Sequence, residues 1–429
     1  MSDEPSPLLL PEGARLFHVG VMKTGTTALQ RALAAQRQLL LDSGVRYPGN
    51  EVNHRLPVGA FMQARVLKHA RQGAVGQAHK KKAADPSIPP MSEWTKLIDE
   101  IESDPTRRSV ISYEIAANAA DARAQQFVDA IGERTHIVIT LRNLAAILPS
   151  FWAQVLKSAH TTPLNDWLVR AFGDDPDAPV SAALQRALNH GELVQRWASI
   201  VGPENVTVVI VDSSQPDLIT EAFEQLLGLE TGVLTNYKVP DSGKNRSLRL
   251  QETELLLRVN QMCEAHSVDW NSYVNLVKRG VVTRLKSRTP GDDEPRVRLP
   301  SWAAARCAEL GAAHAEQIKA SGVRIIGDLA SLYPQQSSSA REGGSLAQIP
   351  TDIALESVAG VISRATDRGA HFAKPKQRVE TGSATGTPKK KRPDPSTVAS
   401  SFTTRELATA LRIRLAHRLR TRRSKPLKN

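Results

Sequence analysis

The stretch Phe17–Gln30, FHVGVMKTGTTALQ, gathers the residue types that hold an anion. The apolar run RLFHVGV (15–21) reads as a buried strand, and a helical pattern opens near Thr26. A strand that turns directly into a helix leaves free backbone N–H groups at the helix N-terminus. Those donors and the helix dipole favour negative charge. Gly25 lets backbone approach such an anion closely, Thr24, Thr26 and Thr27 bring hydroxyls, and Lys23 brings a point charge. The order is not that of the nucleoside-triphosphate loop G-x-x-x-x-G-K-[ST], whose lysine follows its last glycine. Here Lys23 precedes Gly25.

A second constellation is ITLRNLAAILPSFWAQ (139–154). A β-branched strand ends in Arg142, a helix follows, and Ser150 lies eight residues on, two turns along it. An arginine at the carboxyl end of a strand points into the crevice where α/β sheets take their ligands. Its guanidinium suits a bidentate phosphate or carboxylate.

These residues need a scaffold, and the pattern supplies one. The short β-branched runs SVISYE (109–114), THIVITLRN (135–143) and NVTVVIVD (205–212) read as buried parallel strands. Helical segments alternate with them, for example 27–44, 121–131 and 184–200, and GVRIIGDLASLYP (322–334) reads as a closing strand or turn. This alternation predicts an α/β fold with a parallel sheet. Two charged stretches, 71–91 and 287–300, read as loops.

The charge of +12 is unevenly placed. Residues 374–429 hold 16 Lys and Arg against 3 Asp and Glu, so the preceding 373 residues are close to neutral. The high isoelectric point therefore describes the tail rather than the site. Cys263 and Cys307 have no metal-ligand spacing and read as small buried residues. There is no apolar run of membrane-spanning length and no secretion-type leader, so the expected location is cytoplasmic, with membrane-peripheral docking open. The expected organisation is a disordered 1–14, a globular domain over 15–334, and a linker and low-complexity segment over 335–402 with a candidate helix at 351–370. A basic amphipathic helix at 403–425 follows. That last helix suits an anionic membrane surface.

Together, MKTGTT and LRNLAAILPS resemble the two motifs of the sulfotransferases that use 3′-phosphoadenosine 5′-phosphosulfate (PAPS), most closely the bacterial members. The resemblance spans about residues 15–334, and Leu144 stands where the family usually has proline. It implies a P-loop-like three-layer α/β/α sandwich around a central parallel sheet. Lys23, Thr24, Gly25, Thr26 and Thr27 would hold the 5′-phosphosulfate, and Arg142 and Ser150 the 3′-phosphate. Lys244 and Arg246, in DSGKNRSL, are candidates to complete the 3′-phosphate or adenine site. No metal is implied.

Transfer of a sulfonate places negative charge on the leaving phosphate oxygen, which Lys23 and the loop N–H groups would stabilise. The acceptor hydroxyl or amine must lose a proton, and His54 or Glu114 could take it, with Glu51 a weaker third. His18, inside the first strand, reads as a packed residue. The acceptor is expected to be a carbohydrate, glycolipid or small metabolite. Trp152, His160 and Trp167 are equally readable as a sugar platform or as core. A P-loop NTPase or kinase is the alternative, with Asp212 as its acidic metal residue. A polyanion- or membrane-binding protein acting through the tail is the second, and nucleic acid is not an expected partner.

Overall fold

The computed structural model describes residues 8–63, 88–173, 185–186, 188–238, 246–333 and 348–372. Lys244, most of the 71–91 loop, and the segments 335–347 and 373–429, with the expected basic helix, lie outside these residues. The chain divides into two compact units. One comprises the residues up to Val274 together with Arg288–Pro350, and the other joins Asn275–Ser287 with the helix Thr351–Phe372.

The first unit is built on six strands: β1 (Arg15–Gly20), β2 (Val45–Arg46), β3 (Arg108–Ser112), β4 (Thr135–Leu141), β5 (Val206–Ile210) and β6 (Arg324–Ile326). All pairings are parallel, in the order β2-β3-β1-β4-β5-β6. The strand side chains alternate strictly between two faces. Phe17, Val19, Ile111, Ile137, Ile139, Val206 and Val208 enter one core with Phe127, Trp197 and Ile318. Leu16, Val110, Val138 and Val209 enter the other with Leu29, Leu33, Phe223 and Leu226. Helices therefore cover both faces, as a sheet of near-continuous apolar strands requires. This is the three-layer α/β architecture that the sequence pattern and its resemblance led us to expect.

The helices before the second half of the sheet are α1 (Thr26–Ala35), α2 (Arg37–Asp42), α3 (Arg55–Phe61), α4 (Ser92–Glu102) and α5 (Asp121–Ile131). They are followed by α6 (Leu144–Leu156) and α7 (Leu164–Phe172). The single helix expected over 27–44 is two, parted at Gln36, whose N–H closes the first on Ala32. β2 is two residues long, too short to leave a pattern in the sequence. β3 stops at Ser112, so Glu114 opens a 3-10 turn, Glu114–Asn118, instead of ending the strand.

The second unit takes in all but the first residue of a π-helical segment, Val274–Val281, which leads into the helix Val282–Ser287. Gly280 and Gly360 let this segment and Thr351–Phe372 meet backbone to backbone: a Cβ on Gly280 would lie 2.7 Å from the Gly360 carbonyl oxygen. Arg284 pairs with Glu356 beside that contact.

Five histidines, His18, His54, His136, His190 and His314, are buried, with 5% exposure or less. Desolvation lowers them to about 3, 4, 4, 3 and 4 respectively. In the unfolded chain they protonate near 6.5. Between pH 6.5 and 4 the unfolded state thus binds more protons, and stability falls as pH falls. At pH 5 each histidine costs about 2 kcal/mol. The melting temperature is expected to drop by about 10 °C or more between pH 7 and pH 5. An unchanged melt over that range contradicts their neutral burial.

Candidate functional site

β1 and β4 are neighbours, yet the chain leaves β1 towards β2 and leaves β4 towards β5, on opposite sides. The crevice beyond their carboxyl ends is therefore the topological switch point, where open α/β sheets bind ligands. The loop between β1 and α1 lies there. Glu114, after β3, stands on one side of it, and Arg142, directly after β4, on the other.

The loop is wound tightly. Gly20, Lys23 and Gly25 all have left-handed backbone, with φ of 95°, 71° and 88°. For a lysine this conformation costs about 1 kcal/mol or more, and it persists where surroundings over-determine it. Thr24 supplies that constraint. It is fully buried, and its hydroxyl donates to the Val21 carbonyl at 2.7 Å and meets the Thr140 hydroxyl at 2.7 Å. Of the expected ligands, Thr24 thus turns its side chain inward, where it anchors the loop. Thr26 is buried, whereas Gly25 and Thr27 are exposed.

The two helix N-termini at the crevice differ. α6 is capped: the Asn143 carboxamide oxygen accepts from Ala146 N–H at 2.8 Å. α1 begins after Gly25, which has no side chain to cap it, and no acidic residue stands in its first turn. Its orphan donors are the ones an external anion would satisfy.

Arg142 is half-buried and helps hold Asp212, at the end of β5, in its charged form. Asp212 is lowered to about 2, first by the Ser214 N–H, at 2.8 Å, and then by the Ser331 hydroxyl, at 2.6 Å. Both its oxygens are engaged in shaping the β5 turn. Ser150 is half-buried in α6, one residue after Pro149.

The two base candidates separate. His54 is 4% exposed, and both ring nitrogens are bonded. Nδ1 accepts from Ser112 N–H at 2.9 Å, and Nε2 donates to the Pro48 carbonyl at 3.0 Å. Burial, acting against those bonds, lowers it to about 4. With Nδ1 accepting and Nε2 donating to main chain, the histidine has no lone pair turned to an acceptor, which weighs against the proton-accepting role expected of it. Glu114 is half-buried, and one carboxylate oxygen, Oε2, accepts from Gln30 Nε2 at 3.0 Å. Gln30 escaped the sequence reading. Its signal was a polar side chain on the apolar stripe of α1, between Leu29 and Leu33, where it is 1% exposed.

Arg246 is likewise engaged by the protein itself. Its guanidinium forks onto Glu252, with Nη2 at 2.7 Å from Oε1 and Nη1 at 2.8 Å from Oε2, while Nε donates to the Arg288 carbonyl. Glu252 is fully buried and also takes Arg288 and the Arg249 N–H. Trp152 and Trp167 belong to the core, Trp152 donating to the Thr162 carbonyl and Trp167 stacking on Phe151. Among the described residues, no helix is long and apolar enough to cross a membrane.

No family model matches the chain, and no curated protein matches it. Among solved structures it is similar to a sulfotransferase from Alicyclobacillus acidocaldarius. Sequence identity is 16% and the TM-score 0.33, over 62% of this chain and 96% of that one.

The Arg246 geometry has a measurable consequence. Arg246→Met leaves a buried carboxylate short of a partner and should cost about 3 kcal/mol of stability. Affinity for adenosine 3′,5′-bisphosphate should change less than about twofold, since a guanidinium spent on Glu252 offers the ligand little. Lost affinity with an unchanged melt would return Arg246 to the binding site.

Proposed function

We propose that this chain is a sulfotransferase that moves a sulfonate group from PAPS to a hydroxyl or amine of a carbohydrate, glycolipid or small metabolite. The observation that carries the reading is the placement at one switch point of three things: an uncapped helix N-terminus behind a left-handed Lys23, with Glu114 on one side and Arg142 on the other. The residues fit the donor. The Gly25–Thr27 backbone and Lys23 suit the 5′-phosphosulfate, and Arg142 and Ser150 suit a second phosphate in the same crevice.

PAPS, when bound, supplies the sulfonate: the acceptor oxygen or nitrogen bonds to sulfur as the sulfur–oxygen bond to the 5′-phosphate breaks, its electron pair staying on adenosine 3′,5′-bisphosphate. Lys23 and the loop N–H groups stabilise the charge that grows on that phosphate oxygen. Glu114 takes the acceptor's proton, with Gln30 Nε2 holding its Oε2. His54 holds Ser112 and the Pro48 turn in place, a positioning role for the segment leading into α3. A body close to neutral overall leaves acceptor charge to be matched locally. The basic tail is proposed to dock on an anionic membrane surface, with the chain acting in the cytoplasm.

The NTPase alternative would need Asp212 on a metal; here each of its oxygens accepts one hydrogen bond, from the Ser214 N–H and the Ser331 hydroxyl, which ties the carboxylate to its own turn.

The test is transfer of labelled sulfonate from PAPS into a panel of glycans, glycolipids and hydroxylated metabolites. Glu114→Gln should lower kcat by about 100-fold or more, the range general-base removal gives, with adenosine 3′,5′-bisphosphate binding intact. Thermal protection by ATP with Mg²⁺, and none by the bisphosphate, would overturn the reading.

A further inference from the structure

The Gln30 carboxamide sits at the head of a hydrogen-bond chain that runs beneath the crevice. Its Oε1 accepts from Asn53 Nδ2 at 3.2 Å. Its Nε2 reaches Glu114 Oε2 at 3.0 Å and Ser112 Oγ at 3.2 Å. An ionised carboxylate can only accept, so the group facing Glu114 must be the NH₂, and its two hydrogens serve the two oxygens. Ser112 Oγ, having accepted, turns its own hydrogen to His18 Nδ1 at 2.9 Å. His18 is fully buried and neutral, so its proton must lie on Nε2, which donates to Thr140 Oγ1 at 3.2 Å. Thr140 then donates to Thr24 Oγ1 at 2.7 Å, and Thr24 to the Val21 carbonyl at 2.7 Å. Every hydroxyl along the path accepts once and donates once. Ser112, His18, Thr140 and Thr24 are each 0% exposed, so the path is shielded from bulk solvent.

We propose that Gln30 is a positioning residue: its amide aims the Glu114 carboxylate at the acceptor and sets the single direction of a hydrogen-bond chain that ends on the phosphate loop. The acceptor's part in this rests on the sulfonate-transfer reading, but the chain itself does not. Satisfied polar networks in a dry interior are stiff, because every member would be costly to leave unpaired. Gln30 therefore ties the proton-accepting side of the crevice to the loop that holds the leaving group. Asn53 extends the tie to the segment before α3.

Gln30→Glu keeps the shape and leaves one hydrogen where there were two: the new carboxyl, 3.0 Å from Glu114 Oε2, shares a single proton with it and has none for Ser112. The atom facing Ser112 becomes an acceptor, Ser112 must donate to it, and His18 Nδ1 must carry the proton to keep its bond to Ser112. The tautomer of a histidine two bonds away is thereby reversed. Gln30→Leu removes the hold on Glu114 outright.

The experiment has two readouts on the full chain. Imidazole ¹⁵N shifts of the free protein should show His18 protonated on Nε2 in the wild type and on Nδ1 in Gln30→Glu. Wild-type protonation on Nδ1, or an unchanged tautomer in the variant, overturns the chain. In sulfonate transfer, Gln30→Leu should lower kcat at least about tenfold, as loss of a hydrogen bond to a charged group does, with adenosine 3′,5′-bisphosphate affinity within twofold. A wild-type kcat overturns the positioning role. If Gln30→Leu does not fold, the tautomer in Gln30→Glu decides. Absence of transfer by the wild type overturns the functional reading alone, since the tautomer is read without turnover.

Discussion

The site depends on how closely two strand ends approach at Gly20. A Cβ there would lie 2.6 Å from the Glu114 Cβ and 2.7 Å from its Cα, distances no side chain tolerates. With glycine in place, β1 can turn out of the sheet directly beside the start of the Glu114 turn. The backbone then winds through the left-handed Lys23 and Gly25 into α1. The same approach places a carboxylate next to a loop of N–H donors. Thr24 and Thr140 fasten the loop from below, and the Val21 N–H bonds the Thr140 carbonyl at 2.8 Å, so both the side chain and the main chain of one β4 residue hold it. The strain at Lys23 is thus offset by bonds made in the interior, and the exposed face of the loop stays available.

Charge elsewhere in the first unit is buried where it has partners. Glu224 is 3% exposed and accepts from the N–H groups of Gly232, Leu234 and Thr235, which folds the loop after its helix. Glu252 takes two arginines and a main-chain N–H. Such carboxylates build structure because each lone pair meets a donor. Glu114 differs in being half-buried, with Gln30 the side chain that donates to it. That difference is what the proposed proton-accepting role of Glu114 rests on.

Much of this was written locally. The loop 20–27, Arg142 and the strands β1, β3, β4 and β5 were legible because each is a contiguous pattern with a physical reason: alternation, β-branching, glycine at a turn. What escaped is what depends on partners distant in sequence. His54 looked free to take a proton because Ser112, which occupies its Nδ1, is 58 residues away. Arg246 looked available because Arg288, which shares Glu252 with it, lies beyond a whole helix. Gln30 stood inside the quoted motif, yet its role exists only through Ser112 and Glu114 on another strand's end. Thr24 was expected among the ligands from its hydroxyl and from the motif resemblance, and only the fold shows that this hydroxyl turns inward to Val21 and Thr140.

The central claim is that the crevice takes a donor with two phosphate-type groups, one on the α1 N-terminus and one on Arg142. Calorimetry with adenosine 3′,5′-bisphosphate and adenosine 5′-monophosphate, on the wild type and on Arg142→Ala, measures it directly. The wild type should prefer the bisphosphate by about tenfold or more, the worth of one charge-assisted contact, and Arg142→Ala should bind both nucleotides nearly alike. Equal binding of both by the wild type, or a preference for the bisphosphate that survives Arg142→Ala, would contradict it.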